Sequence, residues 1–126
     1  MRVLPKILPG ILLLAALFGA LLLVERLTTQ ELTRLSDPET QQTVCLIWKP
    51  RLLRGDGLCV LELLNAQSQV TDSVKLGILD TAFNALQQFG GLGFHGDEIT
   101  VTNLRTGDLV QRFKVRNHNL QQHPPG

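Results

Sequence analysis

The chain has almost no excess of charge of either sign. Twelve lysines and arginines face 11 aspartates and glutamates, a formal net charge of +1 at pH 7. A nucleic-acid surface needs a basic excess to displace counterions from phosphates, so nucleic acid is not an expected partner. Cysteine is scarce, with two in 126 residues and no Cys-x-x-Cys pair. That excludes a disulfide-dense scaffold and a dithiol redox motif. Aromatic residues make up 5% of the chain. Trp48 is the only one in the first expected hairpin, too few for a base-stacking platform. No serine sits in a Gly-x-Ser-x-Gly elbow, and the carboxylates are scattered rather than paired, so no acid–base couple is evident. The length excludes a TIM barrel or a Rossmann unit carrying a substrate domain. No motif points to a known family.

A long apolar run is present. Residues 7–24 read ILPGILLLAALFGALLLV without a charged side chain, and as a helix they would extend about 27 Å, close to the thickness of a bilayer core. A buried core helix is the weakest reading, because so small a domain cannot cover every face of it. A cleaved secretory signal has the positive start it needs in Arg2 and Lys6, but no small-x-small site follows. Phe18 is bulky where a small residue should stand, and residues 21–24 continue the apolar run. A retained signal-anchor is therefore expected, spanning the membrane once, with cleavage as the alternative. Arg2 and Lys6 at one end against Arg26 and Arg34 at the other slightly favour a cytoplasmic N-terminus. The small domain is then expected on the non-cytoplasmic side. Pro9 and Gly10 read as helix-start residues.

Residues 25–35 (ERLTTQELTRL) read as a helical continuation of the anchor. Ser36, Asp37 and Pro38 stop it, since the residue before a proline avoids the helical region. Residues 36–42 form a polar linker. A small domain follows over residues 43–116. Residues 43–48 (TVCLIW) and 58–64 (LCVLELL) read as two strands around an Arg-Gly-Asp-Gly turn at 54–57. Thr71, Asp72 and Ser73 offer N-caps for a helix over 74–89, with Leu76, Leu79, Ala82, Phe83, Leu86 and Phe89 on one face and Gly90-Gly91 ending it. Residues 98–102 and 109–115 alternate as a second hairpin. Residues 117–126 (NHNLQQHPPG) lack a core pattern and read as a disordered tail. The expected fold class is α+β: an N-terminal transmembrane helix, then a ββαββ domain in which a four-stranded antiparallel sheet carries one helix.

Few residues stand out chemically. Cys45 and Cys59 fall on the two strands of the first hairpin, where a disulfide would close a loop of about 15 residues worth roughly 3 kcal/mol; inert core thiols are the alternative. Gly91–Gly96 matches Gly-x-Gly-x-x-Gly, but after a helix and before a strand, the reverse of a phosphate-binding context. It reads as a connector whose Phe94 and His95 could touch a partner. His95, Asp97 and Glu98 are too few to hold a metal. Arg51, Arg54, Arg105, Arg112 and Lys114, from hairpin tips and a wet sheet face, complete the candidate contacts for a partner or lipid headgroups. No catalytic, cofactor or metal residue and no small-molecule substrate is assigned. The expected role is a non-catalytic accessory subunit or assembly factor of a membrane protein complex, with an exported soluble binding domain as the alternative.

Overall fold

The structure, a computed structural model, describes residues 4–123, and within the first helix it describes the side chains of residues 10–24. Arg2, the side chain of Lys6 and the last three residues of the expected tail lie outside the described residues. The order is α1 (Leu4–Leu27), β1 (Gln30–Ser36), β2 (Thr43–Arg51), β3 (Asp56–Leu64), β4 (Val70–Leu79), α2 (Ala82–Phe89), β5 (Gly91–His95), β6 (Glu98–Thr102), β7 (Leu109–Arg116) and β8 (Asn119–His123). The class is α+β. Instead of one ββαββ sheet, there are two four-stranded antiparallel meanders, β1-β2-β3-β4 and β5-β6-β7-β8. Among the described residues, no helix is long and apolar enough to cross a membrane.

Hairpins β2–β3 and β6–β7 form as the patterning predicts. Three other expectations are corrected. The helical extension over 25–35 ends early. The helix makes its last bonds from the Thr28 amide and hydroxyl to the Val24 carbonyl, at 2.9 and 2.7 Å. The chain then becomes β1 and pairs with β2, turning Leu32 and Leu35 toward the core around a bulge between Glu31 and Thr33. The folded domain thus begins near residue 30; of residues 36–42, Ser36 ends β1 and residues 37–42 are the β1–β2 turn rather than a linker.

The second correction concerns residues 74–79, which form β4 rather than helix. Val74 and Leu76 suit a strand as well as a helix, and a register shift between Lys75 and Gly77 brings Leu79 to the core as well; β3 presents a row of backbone donors and acceptors that β4 satisfies from Gly57↔Leu79 to Leu64↔Val70. Only the last two turns of the expected helix survive, as α2. Its N-cap is Thr81, whose hydroxyl accepts from the Asn84 amide at 3.1 Å.

The third correction is the tail. Residues 119–123 pair with β7 as β8. Asn117 and His118 hold left-handed backbone, φ 52° and 63°, as a two-residue hairpin turn requires. Leu120 alone supplies the apolar anchor, at 8% exposure.

The two meanders share one core. Val44, Leu46, Trp48, Cys59, Leu61 and Leu63 line the first sheet's inner face. Ile99, Val101, Phe113 and Leu120 line the second, and Ala85 and Phe89 of α2 close the gap between them. Trp48 lies flat on Gly57, where a Cβ would stand 2.3 Å from the indole. The sheet edges meet rather than standing open, with β4 beside β8 and β1 beside β5. At the β4–β8 seam the Leu120 amide donates to the Asp72 carboxylate at 2.7 Å. That contact satisfies a backbone donor which sheet pairing leaves over. It also covers strand edges that would otherwise be open to an incoming strand.

Candidate functional site

Antiparallel pairing sends the start of β1, the end of β2, the start of β3 and the end of β4 to one end of the molecule, where α1 joins the domain. The last β1–β2 rung is Gln30↔Trp48, and β2 runs on through Lys49 and Pro50 to Arg51 before turning. This overhang runs back beside α1. Gly19, Leu22 and Leu23 of the helix and Lys49, Pro50, Arg51 and Leu58 of the hairpin, with Thr29, line a groove of about 600 Å³. Gly55 has φ +69°, a conformation glycine adopts without strain at the tip.

The hairpin tip reads Arg51-Leu52-Leu53-Arg54. Leu53 is 78% exposed, an apolar side chain where a turn ordinarily carries polar ones. Arg51 forms a two-pronged bond to Asp56, Nε and a terminal guanidinium nitrogen each donating at 2.7 Å. These bonds hold the Asp56 carboxyl below its usual range and raise Arg51. The fork pins the base of the turn and leaves Leu52, Leu53 and Arg54 projecting beyond it.

On α1, Ile11, Leu12, Leu13, Leu14, Leu17, Phe18, Leu22, Leu23 and Val24 are between 44% and 69% exposed. None belongs to the domain core.

The seven expected contact residues do not form one surface. Arg51 and Arg54 share the hairpin tip. Arg105 stands on the β6–β7 turn against α2, where the Leu104 amide donates to the Gln87 carbonyl at 2.8 Å. Arg112 and Lys114 lie on the outer face of the second sheet, near Glu98 (3.8 Å) and Asp97 (3.7 Å), which balance their charge. Phe94 turns inward against the core. His95, next to it, is exposed at the last position of β5. Sequence reading missed Lys49, Leu52 and Leu53; an apolar pair between two arginines at a turn is the signal that could have found them.

The cysteines do not pair. In the β2–β3 register Cys45 faces Glu62 and Cys59 faces Trp48, so the thiols sit three rungs apart on opposite faces of the sheet. Both are free and buried. Burial pushes the Cys59 thiol up to about 12. Burial and then a hydrogen bond with Glu31 do the same for Cys45. That bond and the Arg34 contact, 2.7 Å from Glu31, lower the Glu31 carboxyl. A thiol so raised is a poor nucleophile.

Gly-x-Gly-x-x-Gly is strand and turn, not a phosphate loop. A Cβ on Gly91 or Gly93 would strike the hydroxyls of Thr102 and Thr100 across the β5–β6 pair, and Gly96 takes φ +65° in the turn. Among the described residues no group of three or more His, Cys, Asp and Glu could hold a metal ion.

At the opposite end, the turns β1–β2, β3–β4, β5–β6 and β7–β8 enclose a polar depression of about 750 Å³, lined in part by Glu39, Gln67, Asp97, Asn117 and His118.

No family model matches the chain, and no curated protein and no solved structure matches it.

Proposed function

We propose that this protein is a single-pass membrane-anchored accessory subunit or assembly factor of a larger membrane protein complex. It has no catalysis of its own, and its small domain lies on the non-cytoplasmic side. One observation carries the reading: from Gly10 to Ala20 the side chains of α1 are apolar and exposed on every face. Such a helix is stable only with lipid or protein around it, since soluble chains rarely leave a contiguous apolar patch above a few hundred Å². In the sequence the apolar run starts at residue 7 and continues to residue 24, about 27 Å as a helix. The domain offers a partner the polar four-turn depression at the end away from α1. The absence of a convergent acid–base or nucleophilic set in the sequence favours a binding role.

The test is to release tagged protein from washed membranes in mild detergent and measure its native size and co-purifying chains. A defined assembly that loses this chain when residues 1–24 are deleted is the expected result. Migration as monomer plus detergent, or retention of the truncated chain in the same complex, refutes it.

The second reading is an exported, cleaved and released binding domain. It draws on the fact that the shared core contains none of the α1 side chains described, residues 10–24, so cleavage would take none of these from the core. An N-terminal sequence of the mature chain starting near residue 20 would establish it.

A further inference from the structure

We propose that the β2–β3 hairpin tip is a second membrane contact, in which Leu52 and Leu53 enter the headgroup–acyl boundary of an anionic bilayer while Lys49 and Arg54 meet its phosphates. The inference rests on the anchor reading of α1 and adds the surface by which the domain lies on the lipid.

The geometry starts from the overhang. Lys49 to Arg51 carry β2 roughly 10 Å past its last rung with β1, at about 3.3 Å per residue. The shared groove sets this overhang beside Gly19, Leu22 and Leu23. Gly19 lies five residues before Val24, about 7–8 Å down the helix axis. A bilayer that surrounds the apolar residues of α1 therefore reaches the level of the hairpin.

The chemistry fits that level. Membrane-surface segments place apolar side chains about 5–10 Å into the headgroup region and basic ones among the phosphates. Leu53 is among the most exposed large apolar residues of the described chain, and Leu52 is 41% exposed. Lys49 and Arg54 are exposed on either side of them. Arg51, held to Asp56, fixes the turn's shape, so little ordering remains when the tip meets lipid. A protein partner is disfavoured at this spot, because it would have to share the groove with the lipid that surrounds Leu22 and Leu23.

The test uses the full chain in nanodiscs of phosphatidylcholine alone or mixed with phosphatidylglycerol. One added cysteine at a time carries an environment-sensitive fluorophore, at Leu53→Cys (tip), Leu17→Cys (helix) or Ser68→Cys (far end of the domain). Cys45 and Cys59 are buried, and the unsubstituted chain gives the background labelling. Spin-labelled lipid and aqueous iodide are the two quenchers. The expected result is lipid quenching at residues 53 and 17 and iodide quenching at 68, with the signal at 53 stronger in anionic discs. The added pair Lys49→Gln and Arg54→Gln should lower the docked-to-free ratio roughly 25-fold, about fivefold per basic residue. If 17 is quenched by lipid and 53 by iodide, the hairpin contact is overturned while the anchor stands. If both are quenched by iodide, the anchor fails and the hairpin contact with it. Equal lipid quenching at 53 in both disc types, unaffected by the added pair, overturns the assignment to anionic headgroups.

Discussion

Replacing Gly57 with alanine should destabilise the domain although it adds one methyl group. A Cβ at this position would lie 2.3, 2.5 and 2.6 Å from three ring atoms of Trp48. Ordinary carbon contacts begin near 3.5 Å, so the indole would have to retreat by about 1 Å or more. The ring is 6% exposed and shares the core with Leu46, Cys59 and Leu61, so it has little room to withdraw. Overpacking of this kind costs about 1–3 kcal/mol, offset by about 0.5–1 kcal/mol from the freedom glycine loses on folding. A net loss of about 1–2 kcal/mol should lower the Tm by roughly 5–15 °C for a domain of this size. Trp48 is the only tryptophan in the chain, so its fluorescence reports the affected ring directly. Full-length protein in detergent, melted with emission as the signal, should show the lower Tm and an altered emission maximum. In a Trp48→Phe background, followed by far-UV circular dichroism, the cost of Gly57→Ala should shrink, because the clashing ring atoms are gone. An unchanged Tm and emission maximum, or an equal cost in both backgrounds, would refute the packing described.

Asp72→Ala should cost about 1.5–3 kcal/mol in denaturant unfolding, because it leaves the Leu120 amide at the β4–β8 seam without its charged acceptor; Asp72→Asn keeps an acceptor oxygen and should cost less. Cys45 and Cys59 should resist an aromatic disulfide reagent at pH 8 until the protein is unfolded. Their thiol values near 12 lie above the ordinary 9, so the protonated form favours the fold. The stability they contribute is fully present below about pH 9 and should fall away as pH rises from there through 12; Cys59→Ser should remove Cys59's share of that loss and leave Cys45's, and where that variant does not fold the loss is visible as alkaline thiolate absorbance that appears only on unfolding. The Asp56 carboxyl is held low by Arg51, so its contribution should be present above the ordinary carboxylate range and be lost as pH falls through its folded value. Amide protection at residues 52–56, corrected for the intrinsic exchange rate at each pH, should fall at acid pH in the wild type and be already lowered at pH 7 in Asp56→Asn.

Some of this molecule follows from the chain alone. Strict alternation at Glu98–Thr102, the Phe113 and Val115 pair in residues 109–115, and the β-branched and apolar run at 43–48 announce strands because residues two apart must share a face wherever that face is buried. The apolar run ending at Val24 announces a helix in need of surroundings. What local pattern leaves undecided is any segment whose apolar spacing suits two periods. Residues 74–79 satisfy both helix and strand, and the unpaired edge of β3, distant in sequence, selects strand. Residues 30–36 are good helix material, yet β2 is buried on both faces and needs a neighbour on that side. Residues 119–123 carry a single leucine, and its place in the shared core, the Asp72 carboxylate and the open edge of β7 hold them in the fold. The candidate site divides in the same way. Arg51 and Arg54 are legible as a basic turn. Their place beside Leu22 and Leu23 of α1, the separation of Cys45 from Cys59 and the dispersal of Arg105, Arg112 and Lys114 come from register and packing. These are long-range pairings, which no local window of the sequence contains.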